Sequence, residues 1–162
     1  MNPSSLTHEQ FLALFGPVYE ASPWVAEGVW PAVEEGALDD REALATAMRA
    51  EVDAAPREMQ LALIRAHPEL ASRTRMPEAS VQEQSGAGLD HCSADEFAAF
   101  KRLNAAYNRR FGFPFIVAVR GMTRADILAA FEARLANDPA TEFATALAQI
   151  HRIAALRLAD LT

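Results

Sequence analysis

Apolar side chains recur at helical spacing through most of this chain, and the places where that rhythm breaks carry the most information. Thr7 and Gln10 form a capping-box pair ahead of Phe11, Leu12, Phe15 and Val18, which predicts a first helix. Ser22-Pro23 predicts a second, with Ser22 as cap and Pro23 in the first helical position. Trp24, Val25, Val29 and Trp30 would then face the core until Pro31 bends the run and Gly36 ends it. Asp39 or Asp40 caps a third helix through Leu44, Ala47, Met48 and Val52. A fourth opens at Pro56, carries Met59, Leu61, Leu63 and Ile64, and stops at His67-Pro68, because proline disfavours helical geometry in the residue before it. Residues 71 to 82 are polar and aperiodic and read as a surface loop. Ser93 with Glu96 caps a long helix through Phe97, Phe100, Leu103, Asn104, Tyr107 and Phe111. Thr123 with Asp126 starts another through Ile127, Leu128, Phe131 and Leu135, and Asp138-Pro139 opens the last, through Phe143, Leu147, Ile150, Ile153 and Leu158.

Between these two groups lies Gly112-Phe113-Pro114-Phe115-Ile116-Val117-Ala118-Val119-Arg120-Gly121, where the helical period fails. The run is β-branched, but no second strand-like run exists to pair with it, so it is read as a buried extended segment. The expected architecture is all-α, a single compact domain of six to eight helices over residues 1–162. Its irregular pieces lie around His67, around Glu83 and at Phe113 to Val117, and such pieces on a rigid scaffold are where sites are commonly built.

Composition narrows the function classes. With 162 residues, 51% of them hydrophobic, and a mean hydropathy of -0.03, the chain can fold without metal or disulfide. A net charge of -7 argues against nucleic acid as a partner, since phosphate binding draws on clustered Lys and Arg. Lys101 is the one lysine among 15 basic residues, so the cations are almost all arginine, whose planar fork suits carboxylates. No apolar run approaches the roughly 20 residues a membrane crossing needs. The start lacks a secretory pattern, the end lacks the Ser-Lys-Leu peroxisomal address, and Cys92 has no second cysteine to pair with, so a cytoplasmic setting is expected.

Four histidines invite a test for metal. His8, His67, His91 and His151 show no pair at i,i+4 around a glutamate and no accompanying cysteine pair, so no metal is expected. Cys92 reads as a small buried apolar residue rather than a nucleophile. His67 has two readings: a helix-end histidine that meets the dipole and the last carbonyls, or a proton-transfer residue. Glu83-Gln84 reads either as a solvated helix face or as a carboxylate and amide brought against the imidazole. The glycines that follow, Gly86 and Gly88, cost helix stability and allow backbone or ligand to approach.

His67-Pro68-Glu69-Leu70, Glu83-Gln84 leading into Ala87-Gly88-Leu89, Leu103-Asn104 with Tyr107, and Arg110-Phe111-Gly112-Phe113-Pro114-Phe115 together resemble the 2-oxo-4-hydroxy-4-carboxy-5-ureidoimidazoline (OHCU) decarboxylase family. The likeness runs from Phe11 to Leu158. It implies an all-α, cofactor-free carboxy-lyase of urate breakdown that converts OHCU to (S)-allantoin after a separate hydrolase has opened the 5-hydroxyisourate ring. Carried over by motif, His67 and Glu83 would be the catalytic pair. Ser80 and Gln84 would hold the ligand, Pro68 would shape the pocket wall, the backbone at Ile116 and Val117 would contact the ring, and Arg157 would meet polar or anionic substrate groups. The stretch between His-Pro and Glu-Gln is shorter here than the family spacing. A homodimer is compatible with the resemblance, and neither nucleic acid nor membrane is implied as a partner.

Two other readings stand beside it: a helical ligand-binding or interaction module without turnover, and an enzyme acting on a related ureide. Turnover of freshly generated OHCU, followed by circular dichroism for the handedness of the allantoin formed, separates all three.

Overall fold

The computed structural model describes residues 2–71 and 78–162, apart from the side chain of Glu78. Eight α-helices and three 3₁₀ turns account for its regular structure, and no strand occurs among the described residues, so the all-α expectation holds. The helices are α1 (His8–Phe15), α2 (Trp24–Glu34), α3 (Arg41–Ala54), α4 (Arg57–Ala66), α5 (Glu78–Gly86), α6 (Ala94–Phe111), α7 (Arg124–Leu135) and α8 (Pro139–Leu161). Contacts gather the chain into two compact units, residues 1–66 with 150–162 and residues 67–149.

Local sequence sets most of the helix starts. Both predicted capping boxes form, Thr7 with Gln10 and Ser93 with Glu96, and the expected helix start at Thr123 with Asp126 proves to be a third; each satisfies two backbone N–H groups reciprocally. Asp40, not Asp39, caps α3 by accepting from the Ala43 N–H at 3.1 Å, while Asp39 accepts from the backbone and hydroxyl of Ser4. The start of α2 corrects the expectation. Pro23 occupies the cap position, no side chain caps the helix, and the Ser22 hydroxyl instead donates back to the Glu20 carbonyl at 2.8 Å. Pro31 lies inside α2 at the loss of one backbone hydrogen bond, and the run ends at Glu34, just before Gly36 with its φ of +81°. Residues 78–82, expected to be loop, form the first turn and more of α5. Their polar composition hid the helix because its buried side chains, Ser80 and Gln84, are themselves polar. The remainder of that expected loop, residues 72–77, lies outside the described residues.

In the first unit, Phe11, Phe15, Val25, Val29, Val33, Leu44, Met48, Val52, Leu63 and Ile64 are buried from the N-terminal side, and Ile150 and Leu158 from the last helix. Its polar ties are specific. The Tyr19 hydroxyl lies 2.8 Å from His151 Nδ1, His151 Nε2 lies 3.0 Å from Asp53, and Arg157 pairs with Glu20 at 2.9 Å.

The second unit is built around α6. Phe100, Leu103, Asn104 and Tyr107 are buried along it, and the helix ends in Gly112, whose φ of +77° is the left-handed geometry that glycine adopts without a Cβ clash. Tyr107 makes edge contacts with Phe113, Phe115 and Phe131, and Phe115 stacks on Phe131 with ring centroids 3.9 Å apart. The Phe113 to Val119 segment is therefore a buried, irregular piece of backbone, as its sequence predicts.

Candidate active site

α6 gathers two irregular pieces of the second unit. Asn104, Tyr107 and Asn108 stand at i, i+3 and i+4, so they share one face of the helix. The Asn104 amide donates to the Leu70 carbonyl at 3.0 Å, and the Asn108 amide donates to the Glu69 carboxylate at 2.7 Å. Between them the Tyr107 ring packs on Phe113 and Phe115. One helix face thus holds both the turn that follows His67 and the segment that contains Ile116 and Val117.

His67 directly follows α4 and is buried, with 8% of its surface exposed. Pro68 behind it prevents the helix from continuing, and the chain turns through Glu69 and Leu70 to Ala71, which has a left-handed φ of +56°. That conformation is unfavourable for a residue with a Cβ, by about 1–2 kcal/mol, so it persists because its surroundings hold it. Gln84 of α5 does much of the holding. Its Oε1 accepts from the Ala71 N–H at 3.0 Å and its Nε2 donates to the Glu69 carbonyl at 3.3 Å.

Of the residues named from sequence, His67, Pro68, Ser80, Glu83, Gln84, Ile116 and Val117 all fall in the second unit. Ser80 and Gln84 are buried in α5, and Glu83 beside them is half-buried. Gln84, expected to hold the ligand, uses both ends of its amide on the backbone of the His67 turn. Arg157 lies in the first unit, where its guanidinium donates to Glu20 and to the Pro17 carbonyl. No cluster of three or more His, Cys, Asp or Glu side chains able to hold a metal ion occurs among the described residues.

Sequence reasoning missed Asn108, Arg134, Glu142 and Gln149. Glu142 is fully buried, and it accepts from the Tyr107 hydroxyl at 2.5 Å, from Arg134 Nε at 2.6 Å and from Asn137 Nδ2 at 3.0 Å. Burial, reinforced by the hydrogen bond to Glu142, pushes the Tyr107 hydroxyl far above its ordinary pKa, so it remains a donor. In the sequence these four look like the solvated face of an amphipathic helix, and only tertiary packing turns them inward.

A family model described as OHCU decarboxylase matches residues 4–159. The chain belongs to the OHCU decarboxylase family. An OHCU decarboxylase of Haloferax volcanii is 45% identical over 155 residues, covering 96% of this chain and 90% of its own. A uric acid degradation bifunctional protein of Bacillus subtilis is 44% identical over 146 residues, which are 90% of this chain and 29% of that one. Among solved structures, (S)-allantoin synthase superposes with a TM-score of 0.79 at 33% identity, over 98% of this chain and 52% of that one. The family resemblance drawn from the His-Pro, Glu-Gln, Asn-Tyr and Gly-Phe-Pro-Phe motifs is therefore borne out.

Proposed function

We propose that this protein decarboxylates OHCU to (S)-allantoin in uric acid degradation, with His67 and Glu83 as its catalytic pair. The observation that carries the reading is the His67 turn. In a chain of this family, a buried imidazole sits at a helix end on a backbone held by Gln84 and Asn104, an arrangement that fixes a reacting group at the cost of local strain.

The chemistry needs orientation more than reagents. The departing carboxylate of OHCU sits on the ring carbon that also bears the hydroxyl, next to an imine carbon. As carbon dioxide leaves, its bonding pair forms a double bond between these two carbons and the imine nitrogen takes a proton. The resulting enol then loses its hydroxyl proton and gains one on the former imine carbon, which gives the ring amide carbonyl of allantoin. The face that receives that last proton sets the handedness. His67 would move the hydroxyl or imine proton, Glu83 would hold the imidazole or the ureido nitrogens, and the backbone at Ile116 and Val117 would contact the ring. Pro68 and Ser80 would line the site.

The test is direct. Freshly generated OHCU is mixed with the protein, and the circular dichroism of the allantoin formed is followed against the uncatalysed background. Rapid formation of the (S) enantiomer by the wild type, lost in His67→Asn, is the expected result. Racemic product at the background rate would refute the proposal.

A further inference from the structure

Among the described residues no strand lies beside the Phe113 to Val119 segment to satisfy its backbone, and two side chains from α7 and α8 take that place. The Arg134 guanidinium donates through Nη1 to the Ile116 carbonyl, and Gln149 Oε1 accepts from the Ala118 N–H at 2.9 Å. Arg134 is itself locked: its Nε is 2.6 Å from the fully buried Glu142, and its guanidinium carbon lies 4.4 Å from the centre of the Phe115 ring. Glu142 is anchored in turn by Tyr107 and Asn137. A planar fork held on several sides cannot swing, so the Ile116 carbonyl it binds is held as well.

Every peptide bond in the described residues is trans, so each carbonyl points away from the N–H of its own peptide plane. The Ile116 carbonyl turned toward Arg134 therefore directs the Val117 N–H the opposite way. The Ala118 N–H turned toward Gln149 likewise directs the Val117 carbonyl away from Gln149. Among the described residues neither the Val117 N–H nor its carbonyl makes a hydrogen bond, although the residue is half-buried. An adjacent donor and acceptor left in this state fit the N–H beside C=O unit that every ureide carries.

We propose that Arg134 and Gln149 are positioning residues, which clamp the 116–118 backbone so that the Val117 donor and acceptor grip the ureide group of substrate and product. This rests on the proposed function, from which the ligand class is taken. Neither side chain touches the ligand, and both act through the orientation of a peptide plane. A clamp of this kind contributes equally to ground-state and transition-state binding, so its loss should raise KM and leave kcat nearly unchanged.

The experiment uses ¹⁵N-labelled full-length protein with (S)-allantoin and hydantoin as probes. In the wild type, saturating (S)-allantoin should shift the Val117 amide resonance and slow its hydrogen exchange. Gln149→Met, which keeps the side-chain length and loses the acceptor, should raise the Kd for (S)-allantoin and the KM for OHCU about fivefold, the worth of one ordinary hydrogen bond. Arg134→Met should do the same or worse, and Arg134→Lys, which keeps a cation beside Glu142 and one donor, should recover part of the loss. Where Arg134→Met does not fold, the Gln149→Met and Arg134→Lys pair decides. A folded Gln149→Met with KM and Kd within twofold of wild type overturns the inference, and so does a Val117 amide that neither ureide moves. Failure of the wild type to turn over OHCU overturns the proposed function alone, because the amide response to hydantoin requires no turnover.

Discussion

Gln84→Glu separates two uses of the same side chain. The substitution changes one atom: the carboxylate can still accept from the Ala71 N–H, but it has no donor for the Glu69 carbonyl and sets an oxygen against it. One part-buried hydrogen bond of about 1 kcal/mol is lost, and the Glu69 carbonyl is left facing a carboxylate oxygen at a further cost of about 1–3 kcal/mol. The total, about 2–4 kcal/mol, corresponds to a fall in Tm of roughly 5–15 °C for a chain of this length. Because the turn carries His67 at its start, kcat should fall as well, by up to about 100-fold if the imidazole is displaced by 1 Å. Thermal unfolding by circular dichroism and OHCU turnover on the same samples provide the measurement. Ala71→Gly provides the control: glycine accepts a φ of +56° freely, so in the Gln84→Glu background it should recover part of the stability by removing the strain the amide opposes. A Gln84→Glu variant that melts within 1 °C of the wild type while losing (S)-allantoin binding would refute the clamp and return Gln84 to ligand contact.

Three further outcomes are expected. His67→Asn and Glu83→Gln should each remove most of the turnover with the fold intact, and the double variant should be little worse than the worse single, as for groups that act together; a full product of the two effects in kcat/KM would show independence. Cys92→Ser should retain activity, since the thiol donates to the Leu89 carbonyl and burial raises its pKa, which suppresses the thiolate; an inactive, folded serine variant would restore the cysteine as a candidate. His151 is buried beside Tyr19, with Asp53 on its other ring nitrogen and Arg49 nearby, and burial lowers its pKa below the ordinary 6.5 in spite of Asp53. The unfolded chain then binds the extra proton first, so this group's contribution to stability is complete above about pH 6.5 and is lost as pH falls through the depressed native value. A His151→Phe variant that melts with the wild-type pH dependence between pH 7 and 5 would contradict this.

The helices were legible where the signal is local. Capping boxes, proline-opened helices and apolar spacing need only a few neighbouring residues, and Thr7, Ser93, Thr123 and Pro139 all stand where those rules put them. α5 was not legible, because its buried positions are Ser80 and Gln84 and a polar inward face has no apolar period to detect. The same physics limited the reading of the site. His67, Glu83 and Gln84 could be singled out because they interrupt a helical rhythm. Asn108, Arg134, Glu142 and Gln149 obey that rhythm while facing inward, and their significance arises from partners that only the fold brings to them: Glu69, Ile116, Tyr107 and Ala118 respectively.

The division of the chain also orders its synthesis. Residues 67–149 form a continuous unit, whereas residues 1–66 share theirs with residues 150–162. Tyr19 and Glu20 leave the ribosome early, yet their buried partners His151 and Arg157 are translated more than a hundred residues later. During elongation residues 1–66 must therefore wait, with Phe11, Val25 and Leu44 incompletely covered, until Ile150 and the residues after it emerge. Stalling or truncation just before Ile150 would leave the earlier unit unfinished, which exposes the apolar faces of the N-terminal helices to the need for a chaperone.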